Sequence, residues 1–518
     1  MQRKAEMGHK YLTYKLPTDY SNEYLRNKIS RQLKLKEFTF EIEHQSLDAR
    51  NKTDIFWLTK VLVYSPEIII DEKIHTEKLN IPYKKRKNNI VVVGSGPAGF
   101  YCALVLQKAG FQVTLIERGS EVKKRGQAIQ HFEQTGIFNS QNNYAFGEGG
   151  AGTFSDGKLT SRSKRISKEK QFILTSYVEA GAPEEIMYMA HPHLGTDNLR
   201  KIVKNLRIEF ENLGGQFLFE TMLEDLVVVN SKVKEIKTLK GNIQADALFI
   251  ASGHSARETF KMLIKNGVPF RTKNFAIGSR MEHEQETINI AQWGRPKLTG
   301  VKAAEYRLTS LADGNHQVFS FCMCPGGIVV PAAAYEKTNI VNGMSFYKRN
   351  GKFANAACVA GVHPDELAGK KVTPLEALQN LQKLEEQFFQ ISKGYSAPAI
   401  SISDFLNQRV SESNLESSFP LGTWSAPLWE FLPKPIVNSM QAGLSDFIRK
   451  LRGFEKGNLL GLESKTSSPV QAIRDKNGLS ESFDNLYLIG EGSGYAGGII
   501  SSAADGIKSA MSYILKHS

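Results

Sequence analysis

The feature that most constrains the fold is the segment 89–117, which reads as a strand, a glycine-rich turn, a helix and a second strand. The unbroken apolar run Ile90–Val93 predicts a buried parallel strand. In such a turn the first glycine permits the sharp bend, the second lets a pyrophosphate approach the backbone, and the third allows close helix–strand packing. The N terminus of the helix attracts that pyrophosphate. We expect five turn residues to lie against a dinucleotide: Gly94, Gly96, Pro97, Ala98 and Gly99.

An acidic residue ends the second strand of this unit. Glu117 follows the run Val113–Ile116, and a carboxylate there accepts hydrogen bonds from ribose hydroxyls and repels a 2′-phosphate. The sequence therefore predicts FAD or NAD rather than NADP. The bare glycine pattern recurs at 147–152 and 492–497, but only the first copy has strand, helix, second strand and acid in register.

Longer segments favour FAD. Seven of them occur in one order: Ser46–Arg50, Glu117–Gly119, Phe146–Lys158, Ala251–Ser255, Phe321–Gly327, Glu463–Pro469 and Gly490–Gly498. With them the chain resembles, over nearly its whole length, a bacterial family of uncharacterised FAD-dependent dehydrogenases. That family belongs to the two-dinucleotide-binding, glutathione-reductase-like flavoprotein superfamily.

The resemblance implies further FAD-binding residues beyond the glycine turn and Glu117. The loop 147–158 would lie against the isoalloxazine, and Gly497-Gly498 would turn the N terminus of the last helix toward the flavin pyrimidine ring. Glu491 stands where the superfamily commonly has Asp, one methylene shorter. The residues implied are Arg118, Gly152, Thr153, Ser155, Gly157, Lys158, Ala251, Ser252, Gly253, Gly490, Glu491, Gly497 and Gly498.

The expected fold class is α/β. Residues 1–88 form a small N-terminal α+β domain, 89–264 the first part of a glutathione-reductase-like, Rossmann-type FAD-binding domain, 265–455 an inserted α+β substrate domain, and 456–518 the return segment of the FAD-binding domain. Apolar spacing predicts a helix over 21–35 capped by Ser21, strands over 38–42 and 55–64, and a helix over 197–213 capped by Asp197. The basic run Lys84–Lys87 is interpreted as a solvated tether.

Candidate chemical groups lie mainly in the substrate domain, and the catalytic residues stay unassigned. Cys322 and Cys324 are two apart in a predicted strand and face one side; they are either a thiol pair beside the flavin or, as we favour, two buried small residues. Alternation places Arg280 and Glu282 on one face of a strand and His283 on the other. Arg280 could hold a substrate carboxylate and His283 could donate a proton, whereas the favoured alternative is a strand-edge ion pair plus a satisfied histidine. Lys465-Thr466 could meet a substrate anion. No metal site is predicted.

Charge and composition leave more than one partner class open. The chain of 518 residues carries a formal charge of +13 and four cysteines, which favours a reducing, cytoplasmic setting. The N terminus Met1–Glu6 lacks a following apolar segment, and no run is long enough to span a membrane. We interpret the basic stretch Arg162, Lys164, Arg165, Lys168 and Lys170 as a solvated mobile loop.

The predicted function is hydride transfer between flavin N5 and a small anionic substrate. There is no second complete dinucleotide fingerprint, so NAD(P)H is expected at most as a transient electron donor. Two alternatives stay open. The charge of +13 leaves room for a flavin-dependent tRNA-modifying enzyme, although no RNA-binding signature accompanies it, and a non-enzymatic flavin-binding redox sensor is the other.

Overall fold

The computed structural model describes residues 8–69, 78–161, 163–311, 316–411 and 415–517. Arg162 and the segment Met1–Glu6, which entered the sequence interpretation, lie outside these residues. The protein is a mixed α/β chain, as predicted.

The N-terminal region forms an antiparallel sheet in the order β1-β3-β2 with one helix packed on it. The Ser21 hydroxyl caps the helix by accepting the Tyr24 amide at 3.1 Å, as predicted. The first strand was not predicted, although Leu12, Tyr14 and Leu16 alternate with polar positions in the way that marks a half-buried strand. The elements are β1 (Gly8–Leu16), α1 (Asn22–Leu33), β2 (Thr39–Asp48) and β3 (Phe56–Ser65).

A parallel sheet follows, in the order β21-β10-β4-β5-β6. Its strand β21 comes from near the end of the chain and pairs with β10. Helices α2 and α13 pack so closely on each other that a Cβ atom at Gly506 would lie 2.1 Å from the Ala98 carbonyl oxygen. The elements are β4 (Asn89–Val93), α2 (Pro97–Lys108), β5 (Gln112–Ile116), β6 (Gln216–Leu218), β10 (Ala247–Ile250), β21 (Leu486–Leu488) and α13 (Ile499–Lys516).

The chain between β5 and β10 also contains helices and a small antiparallel sheet, β7-β8-β9, and one more helix follows β10. Helix α5 begins at Gly195, two residues before the predicted cap, and the Asp197 carboxylate instead accepts the Tyr347 amide at 2.9 Å. The elements are α3 (Val122–Thr135), α4 (Ser167–Glu179), α5 (Gly195–Asn212), β7 (Leu223–Val229), β8 (Lys232–Thr238), β9 (Gly241–Gln244) and α6 (Arg257–Lys265).

A mixed sheet dominates the rest, in the order β13-β14-β16-β12-β19-β17-β18, with β15 paired to β14; β11 and β20 pair separately. The strands are β11 (Phe270–Thr272), β12 (Phe275–Glu284), β13 (Thr309–Ser310), β14 (Val318–Pro331), β15 (Val341–Ser345), β16 (Phe353–Val362), β17 (Ala397–Ser401), β18 (Thr423–Ser425), β19 (Asn458–Glu463) and β20 (Val470–Ala472). The helices are α7 (Gln285–Trp293), α8 (Pro364–Ala368), α9 (Pro374–Ile391), α10 (Ile402–Asn407), α11 (Leu428–Phe431) and α12 (Lys434–Lys450).

Two interpretations of basic runs were each wrong for part of the run, since Lys84, Lys85 and Lys87 are exposed and Lys164 and Arg165 precede α4. Arg86 in the expected tether is buried; its guanidinium donates to the Lys84 carbonyl at 2.9 Å and also to that of Ala109, and it stacks on the Phe111 ring. It is therefore part of the packing against α2 rather than solvated. Lys168 and Lys170 lie in the first turn of α4, not in a loop, because the apolar spacing of the following residues extends the helix to them.

Candidate functional site

The turn between β4 and α2 adopts a conformation that requires glycine. Gly94 has φ +97°, and a Cβ atom there would lie 2.5 Å from the Ala251 carbonyl oxygen. A Cβ atom at Gly99 would lie 1.9 Å from the Gly94 carbonyl oxygen, so the helix packs directly on the turn. Gly96 is the N-cap of α2 and Pro97 its first residue. A helix N terminus placed at such a turn favours a phosphate group.

Glycines from distant segments meet beside this turn. A Cβ atom at Gly150 would lie 2.9 Å from the Cα of Gly96, and one at Gly152 would lie 3.1 Å from the Cγ1 of Ile499. A Cβ atom at Gly490 would lie 2.5 Å from a side chain in the first turn of α2. The strands β21, β10, β4 and β5 all end at this edge of the sheet, where ligands of α/β sheets bind. Side chains in place of these glycines would fill the space beside the turn. Their absence leaves room for a dinucleotide pyrophosphate, which must approach the backbone closely.

Glu117 is a buried carboxylate at the end of β5. Its Oε2 accepts the amide and the hydroxyl of Ser95 at 3.0 and 2.8 Å, and its Oε1 accepts the amides of Gly119 and Gly147 at 2.9 and 3.1 Å. The side chain thereby ties β5 to the glycine turn and to the loop 147–158. The predicted ribose contact stays a prediction, and a ribose would share this carboxylate with the four protein donors.

Arg118 is held at the edge of the site. Its Nη1 lies 2.8 Å from the Glu258 Oε1, and its guanidinium carbon lies 3.9 Å from the centre of the Phe146 ring. The Tyr335 hydroxyl donates to the same Glu258 carboxylate. The sequence did not identify Glu258, since it lies on α6, far along the chain.

Arg125 of α3 organises the segment that leads into the loop 147–158. The guanidinium is fully buried beside the Phe154 ring, and burial lowers its pKa to about 10. Its nitrogens donate to backbone carbonyl oxygens at 2.8 to 3.2 Å, those of Asn143, Tyr144, Gly147, Glu148 and Gly150. The sequence does not reveal this role, because nothing in the local pattern separates Arg125 from the surface lysines next to it.

The second half of the loop is anchored to the mixed sheet. Asp156 is fully buried and accepts two hydrogen bonds from Arg349, at 3.1 and 2.6 Å, and one from the Ser345 hydroxyl. The Lys158 ammonium lies 4.0 Å from Asp156 and 3.8 Å from Glu305. Lys158 therefore lies in a charged network that joins the two sheets.

The loop residues between these anchors are shaped by short-range hydrogen bonds. The Thr153 carbonyl accepts the Thr196 hydroxyl at 3.0 Å. The Ser155 hydroxyl donates to the Gly152 carbonyl at 2.7 Å and accepts the amide of Gly157, whose φ is +69°. Their expected flavin contacts stay predictions.

The turn 251–253 after β10 packs against the segment that carries Glu491. A Cβ atom at Gly492 would lie 2.7 Å from the Gly253 carbonyl oxygen. Burial raises the pKa of Glu491 to about 7, opposed by the nearby Lys273. His254 Nδ1 lies 3.7 Å from the Glu491 carboxylate, and burial lowers the pKa of His254 to about 3. Both groups are therefore biased toward their neutral forms.

The N terminus of α13 is open. Gly497 and Gly498 are exposed, and a side chain at either position would meet free space. Gly498, with φ +75°, is the N-cap of the helix. This opening agrees with the expectation that a flat ring faces the first amides of α13, which stays a prediction.

The structure contradicts substrate binding by Arg280. The side chain is fully buried, and its guanidinium donates to the Asn355 Oδ1 at 2.9 Å, the Glu463 Oε2 at 3.2 Å and the Cys322 carbonyl at 2.8 Å. An ion pair exists, as in the favoured alternative, but it is buried between β12 and its neighbour β19, with Glu463 as the partner, rather than at a strand edge. Glu282 accepts the Ser418 amide and hydroxyl instead.

His283 is equally unsuited to donate a proton near neutral pH. It is buried, its Nε2 lies 2.9 Å from the Phe454 carbonyl oxygen, and burial lowers its pKa to about 4. The ring is packed against the Phe454 side chain. The favoured interpretation as a satisfied histidine holds only for Nε2, because Nδ1 is buried without a hydrogen-bond partner among the described residues.

Lys465 belongs to a buried group with two cations and one carboxylate. Its ammonium lies 3.0 Å from the Glu385 Oε1, and the Arg257 guanidinium pairs with the other oxygen. Glu385 lies on the apolar face of α9, where an acidic residue among Leu381 and Phe388 was the one signal for it in the sequence. The group carries a surplus positive charge.

Residues within or next to this group carry buried polar atoms without a protein partner, and His254 interacts electrostatically with Lys465 and Glu385. Within the described part of the chain, the Thr466 Oγ1, the Arg257 Nη1 and the His254 Nε2 are buried and have no hydrogen-bond partner. Buried polar atoms are nearly always satisfied, so three of them beside surplus positive charge favour a ligand.

Cys322 and Cys324 are both free thiols, and Cys324 is fully buried. The expected regular strand is broken here, because the pairing of β14 with β16 shifts between Phe321 and Cys324. Cys322 has φ +48°, in the left-handed region. The Cys324 thiol donates to the backbone carbonyl of Cys322 at 3.2 Å.

The described ranges contain neither a candidate metal site nor a membrane-spanning helix. Across residues 8–517, with the gaps given above, no group of three or more His, Cys, Asp or Glu side chains is placed to hold a metal ion. Within the same ranges, every helix is too short or too polar to cross a membrane.

Comparisons with known proteins agree with this geometry. Residues 88–289 match the family model described as pyridine nucleotide-disulphide oxidoreductase, and residues 274–466 match the one described as FAD-dependent protein, C-terminal domain-like. An uncharacterized protein of Clostridium beijerinckii is 38% identical over 526 residues, which cover 97% of each chain.

Solved structures resemble the chain only distantly. A flavoprotein/dehydrogenase from Cytophaga hutchinsonii is 12% identical with a TM-score of 0.36, covering 83% of this chain and 79% of that one. Glycine oxidase from Bacillus cereus is 11% identical with a TM-score of 0.33, covering 83% and 96%. Similarities this weak say nothing about the substrate. The family matches and the Clostridium relative do decide the class: the chain belongs to a family of FAD-dependent flavoprotein oxidoreductases and uses FAD as its cofactor.

Proposed function

We propose that this flavoprotein transfers a hydride between the N5 atom of FAD and a small anionic substrate. The observation that carries the proposal is the buried group of Lys465, Arg257 and Glu385, with two cations on one carboxylate. Its surplus positive charge and the unpartnered Thr466 Oγ1 would be matched by a carboxylate or a phosphate.

The residues that would hold FAD are those that converge at the carboxyl edge of the parallel sheet. The turn from Gly94 to Gly99 would receive the pyrophosphate, and Glu117 would contact the ribose. The open N terminus of α13 at Gly498 would face the flavin ring, where backbone amides stabilise negative charge. When bound, FAD supplies the hydride acceptor or donor.

The chain's own groups would orient the substrate. Lys465 and Arg257 would hold its anionic group, and Thr466 would donate a hydrogen bond. His254 is held neutral by its lowered pKa, so it would not add a competing positive charge.

The finer architecture is part of the same proposal. The FAD-binding domain would be glutathione-reductase-like and built from 89–264 and 456–518, with a substrate domain inserted at 265–455 and a small domain at 1–88. Pairing of β21 with β10 supports the return of the chain to the first sheet.

Binding of simple anions tests the proposal without knowledge of the substrate. Acetate, oxalate and phosphate are titrated into the FAD-loaded protein while the flavin absorption is followed. We expect at least one of them to perturb the spectrum, and Lys465→Gln to weaken that binding about 10- to 100-fold, because it removes a charge-assisted hydrogen bond worth about 1.5–3 kcal/mol.

The matched control is Lys476→Gln, which removes an exposed lysine from a turn. It should bind the anions as the unmodified protein does, and both variants should retain FAD. Equal anion affinity in the two variants, or no response of the flavin to any of the anions, contradicts the proposal. A screen of NADH, NADPH and small carboxylates or phosphates for anaerobic flavin reduction then identifies the donor.

A further inference from the structure

The turn after β10 carries His254 to the edge of the sheet where FAD is expected to bind. A Cβ atom at Gly94 would lie 2.5 Å from the Ala251 carbonyl oxygen, so the turn packs on the glycine turn before α2. A Cβ atom at Gly492 would lie 2.7 Å from the Gly253 carbonyl oxygen, so the turn also packs on the segment that leads to α13. His254 is the next residue of the chain. Two parts of the predicted flavin site therefore hold its backbone in place.

One nitrogen of the His254 ring faces a carboxylate. Nδ1 lies 3.7 Å from the Glu491 Oε1, and a carboxylate on that side favours the tautomer with the proton on Nδ1. Burial lowers the pKa of His254 to about 3; Lys465 and Lys273 lower it further, and Glu385 opposes them. The ring is therefore neutral near pH 7, with its lone pair on Nε2.

The other nitrogen belongs to a group of unsatisfied atoms. Among the described residues, Nε2 of His254, Nη1 of Arg257 and Oγ1 of Thr466 are buried without a hydrogen-bond partner. Arg257 follows His254 by three residues and pairs with Glu385. Lys465, the residue before Thr466, lies 3.0 Å from the same carboxylate. The two chain segments that carry the three atoms thus meet at one buried acid.

The chemistry of the three atoms specifies the ligand. The Arg257 nitrogen can only donate, so it requires an acceptor oxygen. Nε2 of His254 can only accept in this tautomer, so it requires an O–H or N–H group. The Thr466 hydroxyl can do either. A hydroxyl suits Nε2 better than an ammonium group does, because Lys465 and Arg257 already give the group a surplus positive charge. A carboxylate with a hydroxyl on the adjacent carbon supplies both kinds of partner.

We propose that the substrate is a 2-hydroxy carboxylate and that Nε2 of His254 takes the proton of its hydroxyl group. Arg257 and Lys465 would hold the carboxylate. The O–H bond breaks toward Nε2, its electron pair completes a C=O bond, and the hydrogen on the same carbon leaves with its two electrons for FAD. The products are a 2-oxo carboxylate, anionic reduced FAD and a protonated His254, whose charge Glu491 would stabilise. This inference rests on the proposed function and names its substrate class.

A matched pair of acids tests the hydroxyl contact without turnover. 2-Hydroxy-2-methylpropanoate has no hydrogen on its second carbon, so it cannot give up a hydride, and 2-methylpropanoate lacks only the hydroxyl. Each is titrated calorimetrically into the FAD-loaded protein at about pH 8.5, above the Glu491 pKa of about 7. We expect the hydroxy acid to bind about 3- to 10-fold more tightly, as one added hydrogen bond allows. Equal affinity for the two acids overturns the inference.

Variants of His254 separate the contact from the proton transfer. His254→Asn keeps a polar group at the place of Nδ1 and removes Nε2, so it should bind the two acids equally. His254→Gln brings an amide oxygen toward the place of Nε2 and should keep the preference, although an amide is no base. His131→Asn, at an exposed position of α3, is the control and should match the unmodified protein. All three should retain FAD.

Bleaching of the flavin tests the proton transfer. Glycolate and both enantiomers of lactate, malate and 2-hydroxyglutarate are mixed anaerobically with the FAD-loaded protein. We expect at least one to bleach the flavin, and both His254 variants to slow this at least about 100-fold, the usual contribution of a general base. No bleaching by any of these acids, or undiminished bleaching in His254→Gln, contradicts the inference. If acetate still perturbs the flavin and Lys465→Gln weakens its binding, the anion site stands and only the assignment of the hydroxyl partner fails.

Discussion

At the scale of single residues, Glu463 links the folding stability to pH. Its carboxyl is buried, and burial raises its pKa from 4.5 to about 7 in spite of Arg280 at 3.2 Å. The folded state therefore binds a proton that the unfolded state has lost, and the stabilisation that this proton gives is lost as the pH rises from 4.5 to 7. One pKa unit corresponds to about 1.4 kcal/mol, so the full shift amounts to about 3 kcal/mol.

Glu463→Gln should remove this contribution. We expect the variant to gain stability relative to the unmodified protein by up to about 3 kcal/mol between pH 4.5 and 7, measured by urea unfolding at several pH values. Glu416→Gln, an exposed control, should keep the original dependence. A constant difference between Glu463→Gln and the unmodified protein over this range would show that Glu463 does not titrate as described.

Residues differ in how far the sequence alone could identify them. Gly94 and Gly99 were predictable, because backbone geometry requires glycine within a few residues of a strand end. Arg125 was not, since its partners lie on another segment and its neighbours give no pattern, and for Glu385 the apolar face of α9 marks burial but not the partners. For Arg280 the sequence left two roles open, substrate binding and an ion pair, because a strand pattern gives the side of the sheet and not the degree of burial.

At the scale of elements, α3 holds the loop segment 143–150 through one side chain. Arg125 donates hydrogen bonds to five carbonyl oxygens of that segment. Arg125→Met would leave these acceptors buried without a donor, at about 1–3 kcal/mol for each one that stays unsatisfied. We expect a loss of at least about 3 kcal/mol in unfolding free energy and faster amide exchange confined first to 143–150.

Arg125→Met should also weaken FAD binding. Glu117 accepts the Gly147 amide of this segment, and Gly150 of the segment lies against Gly96 in the glycine turn. Arg200→Met is a fitting control, because Arg200 also lies near the Phe154 ring but donates none of these bonds. Unchanged exchange at 143–150 in Arg125→Met would refute the role of α3. Restored exchange protection in Arg125→Lys would show that charge alone is sufficient.

Elements were predicted best where a local rule is strong. The unit β4-α2-β5 follows from an apolar run, a glycine turn and an acid at fixed spacing, and its observed limits agree with the prediction. The position of β21 beside β10 depends on pairing across more than two hundred residues, which only the resemblance to a family suggested. The bulge at Cys322 is a tertiary effect, imposed by Arg280 and the neighbouring strand.

At the scale of the whole molecule, the charge of +13 is not simply a basic surface. Arg125, Arg257, Arg280 and Arg349 are buried and bind carbonyl or carboxylate oxygens. These cations cannot contact the phosphates of a nucleic acid. Arg257, Arg280 and Arg349 are each paired with a carboxylate, so of these four only Arg125 adds to the net charge, and it serves to hold the loop segment 143–150.

The N-terminal region has a core of its own. Tyr14, Leu16, Leu25 and Ile29 pack together in a cluster separate from the cores of the two large sheets. The region contacts the rest through the amide and the carbonyl of Gln45, which bond to the segment 188–190 at 2.8 Å each, and through Leu47, Ala49 and Ile55, which pack against the core of the mixed sheet. None of the predicted FAD-binding residues lies in it.

A chain that begins at Lys78 should therefore still bind FAD. It keeps Leu79 and Ile81, which pack on the core of the parallel sheet. We expect one FAD per chain with an affinity close to that of the full chain, and a loss of about 1–3 kcal/mol in unfolding free energy, since two backbone hydrogen bonds and some packing disappear. Flavin fluorescence and urea unfolding measure both quantities. If the shortened chain folds but no longer binds FAD, the first 77 residues contribute to the cofactor site, and the boundary proposed near residue 88 is not one between independent units.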